Sequence, residues 1–198
     1  FIWIMILCIF SSGRYKESRE RKIDVMNSDL YRYYGKKETF YEYLTRRPEI
    51  KYIVLLRKAQ KNIGLLKYWY KIRLSFYSRK TQIDIPANTK IGEGLYLGHT
   101  GSRIINPNVI IGRNCNIATG VVIGKTNRPG GGTPVIGNNV WIGSNAVIVG
   151  KIKIGNNVLI APNAYVNIDV PDNSIVIGNP AAIHYKENAT EGYINNSL

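Results

Sequence analysis

Cysteine and histidine are scarce in this chain, two of each in 198 residues. Cys8 and Cys115 lie too far apart to resemble a zinc or redox pair. They offer no disulfide framework either, so a reducing compartment is the default. Two histidines cannot furnish a three-histidine metal centre, and no metal is expected. The apolar run FIWIMILCIF at the start is ten residues long, short of the ~18–20 that span a bilayer. Acidic residues are few as well, 13 against 27 Lys and Arg, which leaves a net charge of +14. With 44% hydrophobic and 20% charged residues the chain reads as one ordinary soluble domain, with or without an appendage, and not as a disordered one. At face value the charge points to nucleic acid or an anionic membrane. No nucleic-acid reading motif accompanies it, so that partner is set aside.

The charge is unevenly spread. Before Ile83 stand 19 of the basic and 7 of the acidic residues, and from there on 8 and 6. Ten tyrosines fall in the first part and four in the second. Three segments follow from this: an N-terminal extension (1–25), a basic helical segment (26–83), and a repeat domain with a C-terminal tail (84–198). The extension is given no weight in the fold. Sequence upstream of a start at Met26 is preferred over a truncated signal or anchor.

In the basic segment, Ser28 and Asp29 are expected to cap a short helix that Gly35 ends, and Pro48-Glu49 suits the first turn of another. Ile53, Leu56, Ala59, Ile63, Leu66, Tyr70, Leu74 and Tyr77 follow the spacing of one helical face, which Gly64 can split. Lysines and arginines surround it. A cap that packs its apolar stripe on the rest of the protein is the preferred reading. A basic amphipathic surface touching anionic lipid is compatible with it.

From Ile91 an apolar residue recurs every six positions: Ile91, Leu97, Ile105, Ile111, Ile117, Ile123, Ile136, Ile142, Ile148, Ile154, Ile160 and Val166. Three positions after many of them comes Gly or Asn (Gly94, Asn108, Asn114, Gly120, Asn139, Asn145, Asn157, Asn163), the residues that accept a positive φ cheaply. One position further is a second inward slot, often small, which Cys115 fits as a core residue. A short strand and a tight turn repeated in this way build a parallel β-helix of four or five coils. Two steps break the period. Eight residues separate Leu97 from Ile105, and thirteen separate Ile123 from Ile136. Such insertions must leave the stack as loops, where sites are usually built. The first carries His99, the sole histidine of the repeat region.

The stretch DIPANTKIGEGLYLGHTG, the eight-residue step and the closing PDNSIVIGNPAAI resemble the left-handed hexapeptide-repeat acyltransferases, in particular their serine acetyltransferase-like branch. The resemblance covers about Asp84 to Ile183. It implies a mainly β fold, a left-handed parallel β-helix with a short N-terminal α-helical segment. It also implies acetyl transfer from acetyl-CoA to a hydroxyl, with no metal. The family's catalytic Asp and His stand fifteen residues apart, as Asp84 and His99 do here. His99 would be the general base and Asp84 the group that orients its ring; the plainer reading of Asp84 is a turn residue before Pro86. Gly124, Lys125 and Thr126 fall at the thioester end of the family's acetyl-CoA groove, with Ser144 and Ala146 further along. That groove lies between subunits, so a homotrimer is implied. Pro162 falls where the family uses a backbone N–H, which proline lacks.

The resemblance weakens at the acceptor. Gly98 stands where serine acetyltransferases have an Asp, and Gly132-Thr133 where they have an Arg-His pair. Losing those charge-assisted contacts disfavours a zwitterion. A sugar or polysaccharide precursor is therefore the expected acceptor, with L-serine the alternative. A non-catalytic scaffold at a membrane surface is the alternative from another class. The expected location is cytoplasmic, with peripheral contact at the inner face of the membrane.

Overall fold

Short parallel strands fill three faces of a triangular prism in the computed structural model, which describes residues 25–127 and 129–198. The expectation for residues 1–24 lies outside them. The first face stacks β1 (Ile83–Asp84), β4 (Arg103–Ile105), β7 (Val122–Gly124), β10 (Val147–Val149) and β13 (Tyr165–Val166). The second stacks β2 (Lys90–Ile91), β5 (Ile110–Ile111), β8 (Val135–Ile136) and β11 (Lys153–Ile154), and a bridge to Val170 extends it. The third stacks β3 (Tyr96–Leu97), β6 (Asn116–Ile117), β9 (Val140–Ile142), β12 (Val158–Ile160) and β14 (Ser174–Ile177); β15 (Ala182–Tyr185) pairs antiparallel on its edge. This is the expected parallel β-helix.

The register explains the six-residue period. Regular coils return after 18 residues, as in Ile104↔Val122 and Val147↔Tyr165. Every residue of the periodic series except Ile91 is buried in one continuous core, and Ile91 packs against it. Each buried Ile contributes about 1.5–3 kcal/mol. Of the eight Gly and Asn positions expected at turns, all but Asn108 have positive φ. Asn108 instead closes its turn through its N–H on Asn106 Oδ1. Asparagines also tie coil to coil. The N–H groups of Arg113, Asn138 and Asn156 donate to the side-chain oxygens of Asn138, Asn156 and Asp172 in the following coil.

The open lower edge of the first coil is covered by helices α1 (residues 25–34), α3 (Pro48–Lys61) and α4 (Gly64–Thr81), while α2 (Phe40–Leu44), between α1 and α3, buries no residue. Their side chains supply the hydrogen bonds that a further coil would have made. Tyr52 Oη donates to Ile85 O and accepts from Ile85 N; Tyr33 Oη does the same at Leu97. Asp29 accepts from Leu95 N, while Arg57 donates to Ile91 O and Gly92 O and pairs with Asp29 at 2.7 Å. An unpaired strand edge invites association, and here it is used up internally.

Two expectations need correction. Ser28 and Asp29 lie inside α1 and cap nothing; Asp29 is buried because it serves the coil and Arg57. The proposed single helical face fails past Asn62, which together with Ile63 breaks the helix and resets its phase. Ile63 and Leu66 are consequently exposed, at 84% and 49%.

The C-terminal tail runs back along the third face from the last coil to the cap. Asn116 Nδ2 donates to Tyr193 O, the rings of Trp141 and Tyr193 lie 4.9 Å apart, and Arg32 Nε donates to Asn195 O.

Candidate functional site

Both insertions border the first face, at opposite corners. The coil containing β1 and β3 takes 20 residues to return (Ile83↔Arg103), and its two extra residues form the 98–102 loop between the third and first faces. The coil from β7 takes 25 (Ile123↔Ile148), and its surplus protrudes between β7 and β8, at the corner of the first and second faces.

His99 is exposed at the first of these corners. The backbone of its loop is tightly held. Arg103 Nη1 donates to His99 O at 2.7 Å and to Gly101 O at 3.3 Å, and Gly101 N donates to Thr81 O. Gly101 has φ +134°, and a Cβ there would meet Thr119 Cγ2 at 3.1 Å, so only glycine suits this turn. Asp84 is exposed on β1, one register step beyond the Ile83↔Arg103 pair. It lines a recess of ≈ 340 Å³ with Tyr52, Ser75, Ser78 and Pro86. Among the described residues no hydrogen bond joins the Asp84 carboxylate to the His99 ring.

Gly124, Lys125 and Thr126 lie together at the opposite corner. Gly124 O accepts from Gly150 N, and Thr126 N donates to Gly132 O, which closes the protruding loop. Thr126, Gly130, Gly150, Lys151, Tyr165 and Asn167 line an open recess of ≈ 510 Å³. It is roomy enough for a flexible chain and has a lysine, Lys151, in its lining. Ser144 sits in the turn before β10, half-buried, with its carbonyl accepting from Asn163 N. Ala146 is fully buried, and its N–H and C=O are both engaged, with Gly143 O and Val122 N. It has no polar group left for a ligand. One chain thus gathers Gly124, Lys125 and Thr126 at one corner, whereas Ser144 and Ala146, in the turn between β9 and β10, lie at the corner that also carries the His99 loop.

Sequence reasoning missed Arg103. Its signal was available in the inward slot, where the other coils of the same column carry Ile83, Val121, Ala146 and Ala164. The cap residues Tyr33, Tyr52, Asp29 and Arg57 carried no periodic signal.

A family model described as bacterial transferase hexapeptide (six repeats) matches residues 133–167. A serine acetyltransferase of Synechococcus elongatus is 33% identical over 115 residues, 57% of this chain and 47% of that protein. A serine acetyltransferase of Staphylococcus aureus is 38% identical over 104 residues, 52% of this chain and 49% of that protein. This chain therefore spans under half the length of either relative. Among solved structures, the Neisseria gonorrhoeae serine acetyltransferase in complex with serine matches with a TM-score of 0.68 at 27% identity, over 86% of this chain and 72% of that one. Repeat, register and relatives agree that the chain carries the bacterial transferase hexapeptide repeat and that its β-helix is similar to those of serine acetyltransferases.

Proposed function

We propose that the protein is an acetyl-CoA-dependent O-acetyltransferase, and that L-serine is the first acceptor to test. The observation that carries the reading is the placement of the two insertions on the borders of one face. In a homotrimer one protomer's His99 corner can meet its neighbour's 125–134 loop. His99 accepts the hydroxyl proton as oxygen attacks the thioester carbon, then returns it to the departing thiolate. Asp84 accepts a hydrogen bond from the other ring nitrogen once the ring turns toward it, which fixes the tautomer. Gly124, Lys125, Thr126 and Ser144 line the path of the pantetheine arm.

The relatives favour serine over the glycan expected from the sequence, which none of them supports. What keeps a sugar acceptor as a second reading is the absence of charged side chains at Gly98, Gly132 and Thr133. Thiol release from acetyl-CoA, followed with L-serine and with a panel of sugars, separates the two. Turnover with serine at millimolar levels excludes the glycan, and turnover only with a sugar excludes serine. No turnover with either would leave the scaffold reading. Replacing His99 by Ala should cost at least ~10²-fold; an active His99→Ala enzyme refutes the mechanism.

We also propose that α4 meets an anionic membrane surface. Leu65, Trp69, Ile72 and Phe76 line its face opposite the buried Leu74, and all four are exposed. Arg73 lies over the Trp69 ring at 4.8 Å and Arg79 over Phe76 at 5.8 Å. The helix carries five Lys and Arg and no Asp or Glu, so a second copy would meet it with like charge whereas anionic lipid complements it. No helix among the described residues is long and apolar enough to cross a membrane. Sedimentation with anionic vesicles but not neutral ones, weakened by salt, is the expected result. Binding indifferent to lipid charge and salt, or none, overturns it.

A further inference from the structure

Arg103 occupies an inward slot that every other coil fills with an apolar residue. Because Asp84 pairs with Ile104, Ile104 with Val122, Val122 with Val147 and Val147 with Tyr165, the residues preceding them form one inward column: Ile83, Arg103, Val121, Ala146 and Ala164. All five are buried, and Arg103 is 0% exposed. Its guanidinium is bound by carbonyls alone: Nε donates to Ile117 O at 3.0 Å, and Nη1 to His99 O and Gly101 O. Nη2 is buried without a partner. No carboxylate is hydrogen-bonded to Arg103 among the described residues.

A buried cation with no bonded counter-charge is a costly choice for the core. Stability alone would favour a valine, as at position 121. Burial lowers the pKa of the group only to about 10, so it remains charged near neutral pH. What the arginine does that valine cannot is reach out of the stack into the two-residue insertion. Two of its three carbonyl partners belong to the loop that carries His99. The third, Ile117 O, anchors the same guanidinium to β6, later in the coil that β4 begins. The planar fork therefore fastens the loop to the rigid prism.

We infer that Arg103 is a positioning residue for His99: its buried guanidinium holds the His99 and Gly101 carbonyls so that the ring is presented at one fixed place on the corner. The inference rests on the reading of His99 as the general base. Valine in its place would fill the column but leave the loop untied. A reacting group displaced by about 1 Å can lose ~10²-fold in rate, so a loss of ~10–10²-fold in kcat with little change in KM for acetyl-CoA is expected of Arg103→Met.

The test uses the full chain and two readouts. The protein has only His99 and His184, so histidines labelled at Cε1 give two ring signals by NMR. His184 lies on β15, paired with Ile175, and serves as the internal control. In Arg103→Met the His99 signal should broaden or split while that of His184 stays unchanged; in Arg103→Ala, guanidinium ion at non-denaturing concentration should sharpen it again. Where acetyl-CoA turnover is measured, kcat should follow the same pattern. Ile154→Val, a core change on the second face, should move neither ring signal nor kcat. A single unshifted His99 signal in Arg103→Met overturns the inference, as does a disturbance that Ile154→Val reproduces. Activity surviving in His99→Ala would instead refute the general-base reading, whatever Arg103 does.

Discussion

Replacing Tyr52 by Phe tests whether the helices act as a substitute coil. Tyr52 is 1% exposed, and its hydroxyl is both donor to Ile85 O (3.1 Å) and acceptor from Ile85 N (3.0 Å). Phenylalanine keeps the ring and removes both bonds, leaving a donor and an acceptor beside a dry ring. A buried polar group left unpaired costs about 1–3 kcal/mol, so the pair should lose about 2–4 kcal/mol. Tyr68→Phe is the control: Tyr68 is 64% exposed on α4 and should change stability by under ~0.5 kcal/mol. Urea unfolding followed by tryptophan fluorescence in two backgrounds, Trp3→Phe with Trp141→Phe and Trp3→Phe with Trp69→Phe, reads the two bodies separately, since Trp69 reports α4 and Trp141 reports β9. The Trp69 transition should move to lower urea in Tyr52→Phe, and the Trp141 transition with it if cap and prism unfold together. A midpoint shift no larger than that of Tyr68→Phe would refute the substitute-coil argument. Ile85 directly follows Asp84, so a confirmed shift would also link the cap to the candidate site.

Three further outcomes are expected. Burial pushes the Cys115 thiol up to about 12, so in a Cys8→Ser background a disulfide reagent at pH 8 should modify it only on unfolding; fast labelling of the folded protein would contradict the core assignment. The Asn156 backbone N–H, and then its side chain, hold the Asp172 carboxyl below its ordinary value. Its stabilisation is therefore present above the unfolded-state value (about 3.9) and is lost as pH falls through the lower folded one. Urea midpoints should thus drop less between pH 6 and pH 3 in Asp172→Asn than in the parent, and equal drops would contradict this. Gly101→Ala forces a left-handed φ on a residue with a Cβ and crowds Thr119. It should cost about 1–3 kcal/mol and disturb the His99 loop, as loss of acetyl transfer and lowered urea resistance would register.

The prism was legible because its information is periodic. Ile105, Ile111 and Ile117 each face inward at the same phase, and asparagines such as Asn114 and Asn139 mark the corners where φ turns positive. The breaks in period located both loops for the same reason. The cap was legible only as helices. Tyr52 reaches Ile85, 33 residues away, and Asp29 reaches Leu95, 66 residues away. Such side-chain-to-backbone bonds have no spacing rule, so Asp29 read as a helix cap when it is a buried partner of the coil. Beyond Asn62 the two helices no longer share a phase, which sent Ile63 and Leu66 to the wrong face. Asp84 and His99 were found by spacing, yet spacing says nothing of side-chain rotation, and the ring and carboxylate are not hydrogen-bonded.

The returning tail changes how the stack answers to damage. In a simple solenoid each repeat depends on its two neighbours, so weakness at one end stays there. Here Asn195, synthesised after every coil, accepts a hydrogen bond from Arg32, 163 residues earlier, and Arg32 also donates to Gly94 O in the first coil. The ends of the prism are thereby wired into a circuit. Synthesis at about 5–20 residues per second lets the coils assemble in order behind the ribosome, but the latch at Arg32 closes only when the tail is free to travel back. A lesion near Tyr193 should therefore loosen the opposite end of the molecule, as a cut in a belt slackens it everywhere.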